Sequence, residues 1–261
     1  MIEFCTIASG SSGNSACVGI GGQYFLVDAG ISGKRIEHAL FNMNVRQLGG
    51  IFITHEHRDH IVGAGIMARR FKLNLYATPL TWQYFSTYKS LGELNMEQIK
   101  IVEPGKPFIV NGVTVTAFDI PHDAAQPVGY TFEAAGKKIA TATDLGYATD
   151  IVKAHLKGAH VLLLECNHDP HMLQNGSYHH RLKVRVAGKQ GHLSNADTGV
   201  LLSEIACDKL EYVFLAHLSE ENNTPALAYE TVKRVLDGNN VKVKNLIVAE
   251  RHGPGIVVRY E

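Results

Sequence analysis

The sequence predicts an α+β protein with two mixed β-sheets packed face to face and helices on their outer faces, an αββα sandwich. Two observations carry this prediction. Short β-branched runs alternate with amphipathic segments along the chain. The same plan, with strands first, helices between them and strands last, occurs in both halves. Because no linker or low-complexity tract separates the halves, we expect a single domain over residues 1–261.

The first half has clear boundaries between its elements. Gly21 and Gly22 form a pair typical of a hairpin turn. Ser32 can cap the first helix, and Pro79 suits the first turn of the third. The predicted elements are strands at 3–8, 16–20 and 24–27, a helix at 34–43, a strand at 51–54, a helix at 61–71, a strand at 75–77 and a helix at 79–91.

The second half repeats the alternation after a hairpin that turns at Asn111 and Gly112. The predicted elements are this hairpin at 108–120, strands at 128–133 and 138–143, a helix at 151–156, a strand at 161–164, a helix at 195–205, a strand at 212–216, a helix at 226–236 and strands at 245–249 and 255–259. The segment 167–189 is the exception, because it is polar and only weakly periodic.

The composition is that of an ordinary globular protein, with 45% hydrophobic residues, 19% charged residues and a formal net charge of zero. Any polyanionic partner must therefore be met by a local basic patch. No stretch reaches the roughly 18 apolar residues of a membrane span, and the first residues do not resemble a signal peptide. The four scattered cysteines do not suggest a disulfide framework. We therefore expect a cytoplasmic protein that does not enter a membrane.

Four residues of metal-ligand type occupy six positions directly after a predicted strand, in the run His55-Glu-His57-Arg-Asp59-His60. Imidazole and carboxylate are the groups that zinc and similar ions bind in proteins. His55 and His57 alternate in an extended loop and can hold one ion. Asp59 and His60 lie near the start of the next helix and can face a second. The alternative, a solvated polar loop, is disfavoured by this density of ligands.

Three further ligand-type residues follow other predicted strands, namely His122, Asp144 and His217. Each one alone is as consistent with a cap or turn residue. Together they supply what the loop lacks: a third histidine for the first ion, a bridging carboxylate, and a second histidine for the second ion.

The loop, the motif Phe25-Leu-Val-Asp28-Ala-Gly and the later His, Asp and His in that order resemble the metallo-β-lactamase-fold hydrolases over nearly the whole chain. Four more runs resemble the bacterial YycJ/WalJ exonuclease-like family: ASGSSGNS from Ala8, LECNHD from Leu164, GHLSN from Gly191 and HLSEENN from His217. The resemblance implies that Asp28 orients the ligand loop rather than binding metal.

The resemblance also implies a dinuclear-metal-dependent phosphodiesterase or exonuclease that hydrolyses DNA or RNA through a metal-bridged hydroxide. Two divalent ions per chain are expected, zinc first, with manganese or iron as alternatives. Asp59 then serves both binding and catalysis. His192 would protonate the leaving group, and Glu165 would orient its imidazole. The alternatives are a helix cap for His192 and a backbone-amide contact for Glu165.

Substrate contacts are expected at two places in the sequence. The Ser/Gly loop offers Ser11, Ser12 and Asn14, either as an anion-binding nest or as a flexible turn. The polar segment offers His168, Lys183 and Arg185, which would hold a nucleic-acid backbone unless this segment is merely solvated.

Two other functions remain open. One is a small-molecule metallo-hydrolase acting on a thioester, lactone or cyclic phosphodiester with the same metals. The other is a metal-bearing regulatory or binding protein without turnover. The basic residues near Arg185 and the YycJ/WalJ motifs favour nucleic acid as the partner.

Overall fold

A computed structural model describes residues 1–261, with all side chains except that of Tyr88. Its strands are β1 Ile2–Ala8, β2 Ser15–Ile20, β3 Gln23–Val27, β4 Ile51–Phe52, β5 Leu75–Ala77, β6 Ile99–Ile101, β7 Phe108–Val110, β8 Val113–Asp119, β9 Val128–Ala134, β10 Lys137–Ala142, β11 Val161–Glu165, β12 Tyr212–Ala216, β13 Asn245–Val248 and β14 Val258–Tyr260. They form two seven-stranded sheets, ordered β14-β1-β2-β3-β4-β5-β6 and β13-β12-β11-β10-β9-β8-β7. Both sheets mix parallel and antiparallel pairs, as predicted.

Helices cover the outer face of each sheet, and the predicted sandwich is confirmed. The helices are α1 Gly33–Asn42, α2 Arg58–Ile61, α3 Ala64–Phe71, α4 Pro79–Tyr88, α5 Asp150–Leu156, α6 Pro170–Asn175, α7 His180–Val186, α8 Asn195–Ile205 and α9 Pro225–Gly238, with a 3₁₀ turn at Met96–Gln98. No helix within the described residues combines the length and apolar character needed to cross a membrane.

Aromatic side chains fill the space between the two sheets. Phe52 stacks on Tyr76 with ring centroids 4.5 Å apart, and it meets Phe132 of the other sheet edge-to-face at 5.1 Å. Phe4 of the first sheet and Phe214 of the second also contact each other, with ring centroids 4.8 Å apart. Two further apolar clusters lie outside the sheets, one under α1 and α3 and one under α5, α8 and α9. Burial on both faces explains why most strands read as continuous apolar runs.

Strand direction brings the loops of interest to one edge. In the first sheet β1, β3, β4, β5 and β6 run the same way, and in the second β8, β10, β11, β12 and β13 do so. The carboxyl ends of these strands therefore carry the Ser/Gly loop, the His-rich loop and the segments with the other candidate ligands. Side chains far apart in sequence converge there on a rigid scaffold.

The structure differs from the sequence prediction at a few elements. The strand at 51–54 pairs only at Ile51 and Phe52, because Thr54 already belongs to the ligand loop. The helix expected at 61–71 is divided into α2 and α3 at Gly63, whose N–H donates to the carbonyl of Ala29. Strand β6 was not predicted, since its three residues are too few to show alternation. The polar segment 167–189 also contains two short helices, α6 and α7.

Candidate metal centre

The ligand loop is held from behind by Asp28, which follows β3. Its Oδ1 accepts a hydrogen bond from the backbone N–H of Thr54 at 2.8 Å, and its Oδ2 accepts one from the Thr54 hydroxyl at 2.8 Å. The same Oδ2 lies 2.7 Å from Nδ1 of His60. Burial raises the pKa of Asp28, although the neighbouring His60 and Thr54 oppose the rise. The carboxylate thus fixes both the backbone of the loop and the orientation of the His60 ring.

Each buried histidine of the loop turns one ring nitrogen towards a common space. Nδ1 of His55 lies 3.0 Å from the Thr54 hydroxyl, which leaves Nε2 facing inward. Nδ1 of His60 is engaged by Asp28, so its Nε2 faces inward as well. A hydrogen bond to the outer nitrogen is the arrangement that orients a metal-binding imidazole.

The first group of candidate ligands consists of His55, His57 and His122. One nitrogen of each ring lies within 4.8 Å of the others. His122 is fixed by the carbonyl of Gly191, 3.1 Å from its Nδ1, and its Nε2 lies 3.4 Å from Nδ1 of His57. Three imidazoles at this spacing suit one zinc-like ion.

The second group consists of Asp59, His60 and His217, again within 4.8 Å of one another. Asp144 lies between the two groups, since its Oδ2 is 3.3 Å from Nε2 of His60 and its Oδ1 is 3.6 Å from Nε2 of His122. A carboxylate at this position can bind one ion with each oxygen. The structure therefore brings together all seven ligands proposed from the sequence.

Three buried polar atoms at this centre have no hydrogen-bond partner among the described residues: Nε2 of His55, Nε2 of His217 and Oδ2 of Asp144. A buried polar atom without a partner costs free energy. A cation in the shared space would satisfy all three at once. The donor set of imidazoles and carboxylates has the chemistry that divalent ions require, so these residues fit the metals that the fold implies.

The protonation of these rings depends on their neighbours. Burial lowers the pKa of His55, which favours the neutral imidazole that a metal binds. Burial also disfavours protonation of His217, but Asp144, Asp59 and Glu165 outweigh it and raise the pKa to about 10. Metal binding at His217 must therefore displace a proton, and affinity there falls as the pH falls.

Asp28, Asp144 and His217 all have a left-handed backbone, with φ of 58°, 58° and 56°. Each comes one or two residues after a strand ends. This conformation is uncommon for residues other than glycine and is often found at functional sites. It turns the chain sharply, so that each side chain points along the strand edge towards the centre.

Glu165, at the end of β11, orients two histidines with one oxygen. Its Oε1 lies 2.7 Å from Nδ1 of His192 and 2.9 Å from Nδ1 of His217. Its Oε2 accepts the backbone N–H groups of Leu145 and Leu193. Burial raises the pKa of Glu165, but His192 and His217 outweigh it and hold the pKa below its ordinary range. Glu165 therefore makes both of the contacts that the sequence left as alternatives, one to an imidazole and one to backbone amides.

A cavity of about 220 Å³ opens over the centre. Of the predicted substrate residues, Ser11 and Arg185 line it. Asn14 instead supports the ligands, with its Nδ2 3.2 Å from Oδ2 of Asp59 and 3.1 Å from Nε2 of His60. The remaining three do not line the cavity: exposed Ser12, buried His168 and Lys183, whose Nζ donates to the Gln174 carbonyl at 2.8 Å.

Sequence reasoning missed five residues that line the cavity: Asn167, Tyr178, Leu182, Val186 and Ser219. Asn167 and Ser219 lie in two of the quoted motifs, so their motifs were a usable signal. Tyr178 and Leu182 come from the polar segment, where the formation of α7 decides which side chains face inward. Cys166, which neighbours the centre, is buried; burial raises the pKa of its thiol to about 12, so it is unsuited to a reactive role.

Replacing Asp28 with Asn should weaken metal binding by about 10- to 100-fold, because such supporting contacts typically have that effect. The amide has one acceptor oxygen where the carboxylate has two, so its NH2 group would face either the Thr54 N–H or the Thr54 hydroxyl and the His60 ring. Competition with a chromogenic chelator measures the affinity. Asp59→Ala and Asp144→Ala are the reference variants and should be more severe. An Asp28→Asn protein more damaged than both would contradict its supporting role.

Comparisons with known proteins place the chain in a family. Residues 23–217 match the family model described as Beta-lactamase superfamily domain. The chain is 38% identical over 239 residues to exodeoxyribonuclease YycJ of Bacillus anthracis, covering 90% of this chain and 89% of that protein. It is 39% identical over 232 residues to exodeoxyribonuclease WalJ of Streptococcus pneumoniae, covering 88% and 86%. Among solved structures, the metallo-β-lactamase fold protein YhfI from Bacillus subtilis aligns with a TM-score of 0.72 at 16% identity, covering 99% of this chain and all of the other. The chain therefore belongs to the β-lactamase superfamily, as a metallo-β-lactamase-fold hydrolase related to YycJ and WalJ.

Proposed function

We propose that this hydrolase is a dinuclear-metal phosphodiesterase that removes nucleotides from the end of DNA or RNA. The observation that carries the proposal is one arrangement: two ligand groups share Asp144, and the His192–Glu165 pair lies beside them on the same cavity. The names of the relatives, both exodeoxyribonucleases, support nucleic acid as the substrate and the exonuclease mode.

Phosphodiester hydrolysis needs an activated water, neutralised phosphate oxygens and a protonated leaving group. Divalent ions, when bound, supply the first two as Lewis acids. We assign the two ions to the groups His55, His57, His122 and Asp59, His60, His217, with Asp144 between them. Because most of the donors are imidazole nitrogens, zinc is the first choice, and manganese or iron are the alternatives.

His192 provides the proton for the leaving oxygen in this proposal. Its Nδ1 is engaged by Glu165 at 2.7 Å, so Nε2 is the nitrogen that remains to give a proton to a substrate. The ring lines the cavity, and its side chain is 13% exposed. A carboxylate behind an imidazole fixes its orientation and stabilises the protonated form.

Other residues that line the cavity suit a nucleotide. The ring of Tyr178 and the side chain of Leu182 offer an apolar surface on which a base can lie. Arg185 reaches the same cavity while its guanidinium holds Asp123, with 3.0 Å between Nη2 and Oδ1. A phosphate would share this guanidinium with Asp123.

A substrate screen on metal-reconstituted protein tests the function. We expect hydrolysis of bis-p-nitrophenyl phosphate and stepwise release of mononucleotides from end-labelled oligonucleotides of DNA or RNA. Thioester and lactone substrates serve as the comparison. They should react far more slowly, because neither carries the charged phosphate that the two ions and Arg185 would neutralise in this proposal.

Efficient turnover of a thioester or lactone, with intact oligonucleotides after prolonged incubation, would contradict the proposal in favour of the small-molecule hydrolase. Internal cleavage of a circular single strand would contradict the exonuclease mode alone.

A further inference from the structure

We propose that a basic groove beside the metal centre binds the backbone of the nucleic-acid strand that extends from the scissile phosphate. This inference rests on the proposed function. We name the surface the α1 groove and define it by Lys34, Arg35 and His38 of α1 together with His252 of the loop after β13. We add the adjacent Arg251, which does not line the groove itself. None of these residues belongs to the ligand groups or to the wall of the metal cavity.

The α1 groove is a cavity of about 350 Å³ with an apolar floor and a basic rim. Buried Ile7 and Ile31 form the floor, and Pro254 closes one side. Lys34 and His38 lie one turn apart on α1, about 6 Å along its axis, so both point to the same side. Such a spacing suits neighbouring phosphates, while the apolar floor can contact sugars or bases.

Arg251 connects residues of the two cavities, because it precedes His252 of the groove and contacts Ser219 of the metal cavity. The guanidinium donates to the carbonyl of Ser219 at 3.0 Å, and Ser219 lines the metal cavity. The aliphatic part of Arg251 packs against Gly10, where an added Cβ would lie 3.3 Å from Cγ. Gly10 is adjacent in sequence to Ser11, another residue of the metal-cavity wall. A strand leaving the ligand groups over Ser11 therefore reaches Arg251 and then the α1 groove.

In the described part of the chain, the side chains that α1 contributes to the groove have no acidic partner that would compete with a phosphate. Among the described side chains, no carboxylate forms an ion pair with Lys34, Arg35 or His38 within 4.0 Å. The one acid on this part of α1, Glu37, is paired with Arg70 at 3.0 Å. Arg35 donates to the carbonyl of His252 at 2.8 Å, and this contact holds the loop in place.

The segment favoured by the sequence is less suited to this role. Its Arg185 is paired with Asp123, the contact that would compete most directly with a phosphate. Lys183 donates to the Gln174 carbonyl, much as Arg35 of the α1 groove donates to that of His252. In the α1 groove, Arg251 alone has an acidic partner, Glu220 at 3.7 Å, and that side chain is 66% exposed. The absence of acidic partners on α1 among the described residues and the contact of Arg251 with Ser219 therefore both favour the α1 groove.

The test variant is Lys34→Ala combined with His38→Ala, which leaves Arg35 and its contact with the loop intact. The control is Lys209→Ala combined with Lys242→Ala. These exposed lysines precede β12 and β13, at the sheet edge opposite the metal centre, and the control removes at least as much charge. Binding of a fluorescent phosphorothioate strand of about 12 nucleotides, DNA and RNA in separate arms, is measured against salt with metal-loaded proteins.

Each lost phosphate contact should reduce the log–log salt slope by about 0.7 for a single strand, which is roughly fivefold in affinity at 0.1 M salt. The test variant should show this loss with the 12-mer and not with a dinucleotide, and the control should match the wild type. Equal salt slopes in the test variant and the control would overturn the proposal that the α1 groove binds the strand. Failure of the proposed function looks different: the wild type would then hydrolyse bis-p-nitrophenyl phosphate without degrading any oligonucleotide.

Discussion

Replacing Asp144 with Ala is expected to lower hydrolysis of bis-p-nitrophenyl phosphate by about 10³-fold or more. Stabilisation of a phosphoryl transition state by metal is worth several kcal/mol, and each 1.4 kcal/mol or so is a factor of ten. Asp144 is the carboxylate between the two ligand groups, 3.3 Å from His60 and 3.6 Å from His122. Its removal would take an oxygen donor from metals held here and would leave the two ligand groups without the residue they share.

The measurement combines the steady-state rate with elemental analysis of the same preparation. Metal content should fall from about two ions per chain towards one, because the paired site depends on the shared carboxylate. Asp150→Ala is a suitable control, since Asp150 is exposed in the first turn of α5. An Asp144→Ala protein with full metal content and near wild-type turnover would show that Asp144 is not a metal ligand of this centre.

Replacing His192 with Ala should lower turnover of an oligonucleotide by about 10²–10⁴-fold, the usual contribution of a general acid. Metal content should not change, because Nδ1 of His192 is hydrogen-bonded to Glu165 and the ring belongs to neither of the two ligand groups assigned to the ions. The p-nitrophenolate of bis-p-nitrophenyl phosphate leaves without a proton. Its hydrolysis should therefore suffer much less than that of the oligonucleotide.

The comparison of the two substrates separates an acid from a structural histidine. His171→Ala is the control, because His171 is exposed on α6 and does not line the metal cavity. Equal losses on both substrates, or loss of metal from His192→Ala, would contradict the role of proton donor.

Much of the fold could be predicted because burial on both sheet faces makes the strands visible as β-branched runs. Helix α8 and strands β5 and β12 have the predicted bounds. The ligand loop was equally visible, since four ligand-type residues fall within six positions. Short elements such as β6 were not predicted, because a strand of three residues shows too little alternation to be distinguished from a loop.

Contacts between distant segments could not be predicted from the sequence. The hydroxyl of Ser9 accepts a hydrogen bond from the N–H of His217, which lies 208 positions away in the sequence. No local sequence pattern predicts such a contact. The double role of Glu165 has the same origin, because His192 and His217 meet only once β11 and β12 are paired. The α1 groove likewise joins residues from the two ends of the chain.

Whether two ions act together at this centre can be tested by a stoichiometric titration of metal-stripped protein. Zinc or manganese is added in steps, and bound metal and hydrolysis of bis-p-nitrophenyl phosphate are measured in parallel. We expect activity to rise mainly with the second ion and to level off near about two per chain. Full activity after one bound ion, or activity that persists in the stripped protein, would contradict the account.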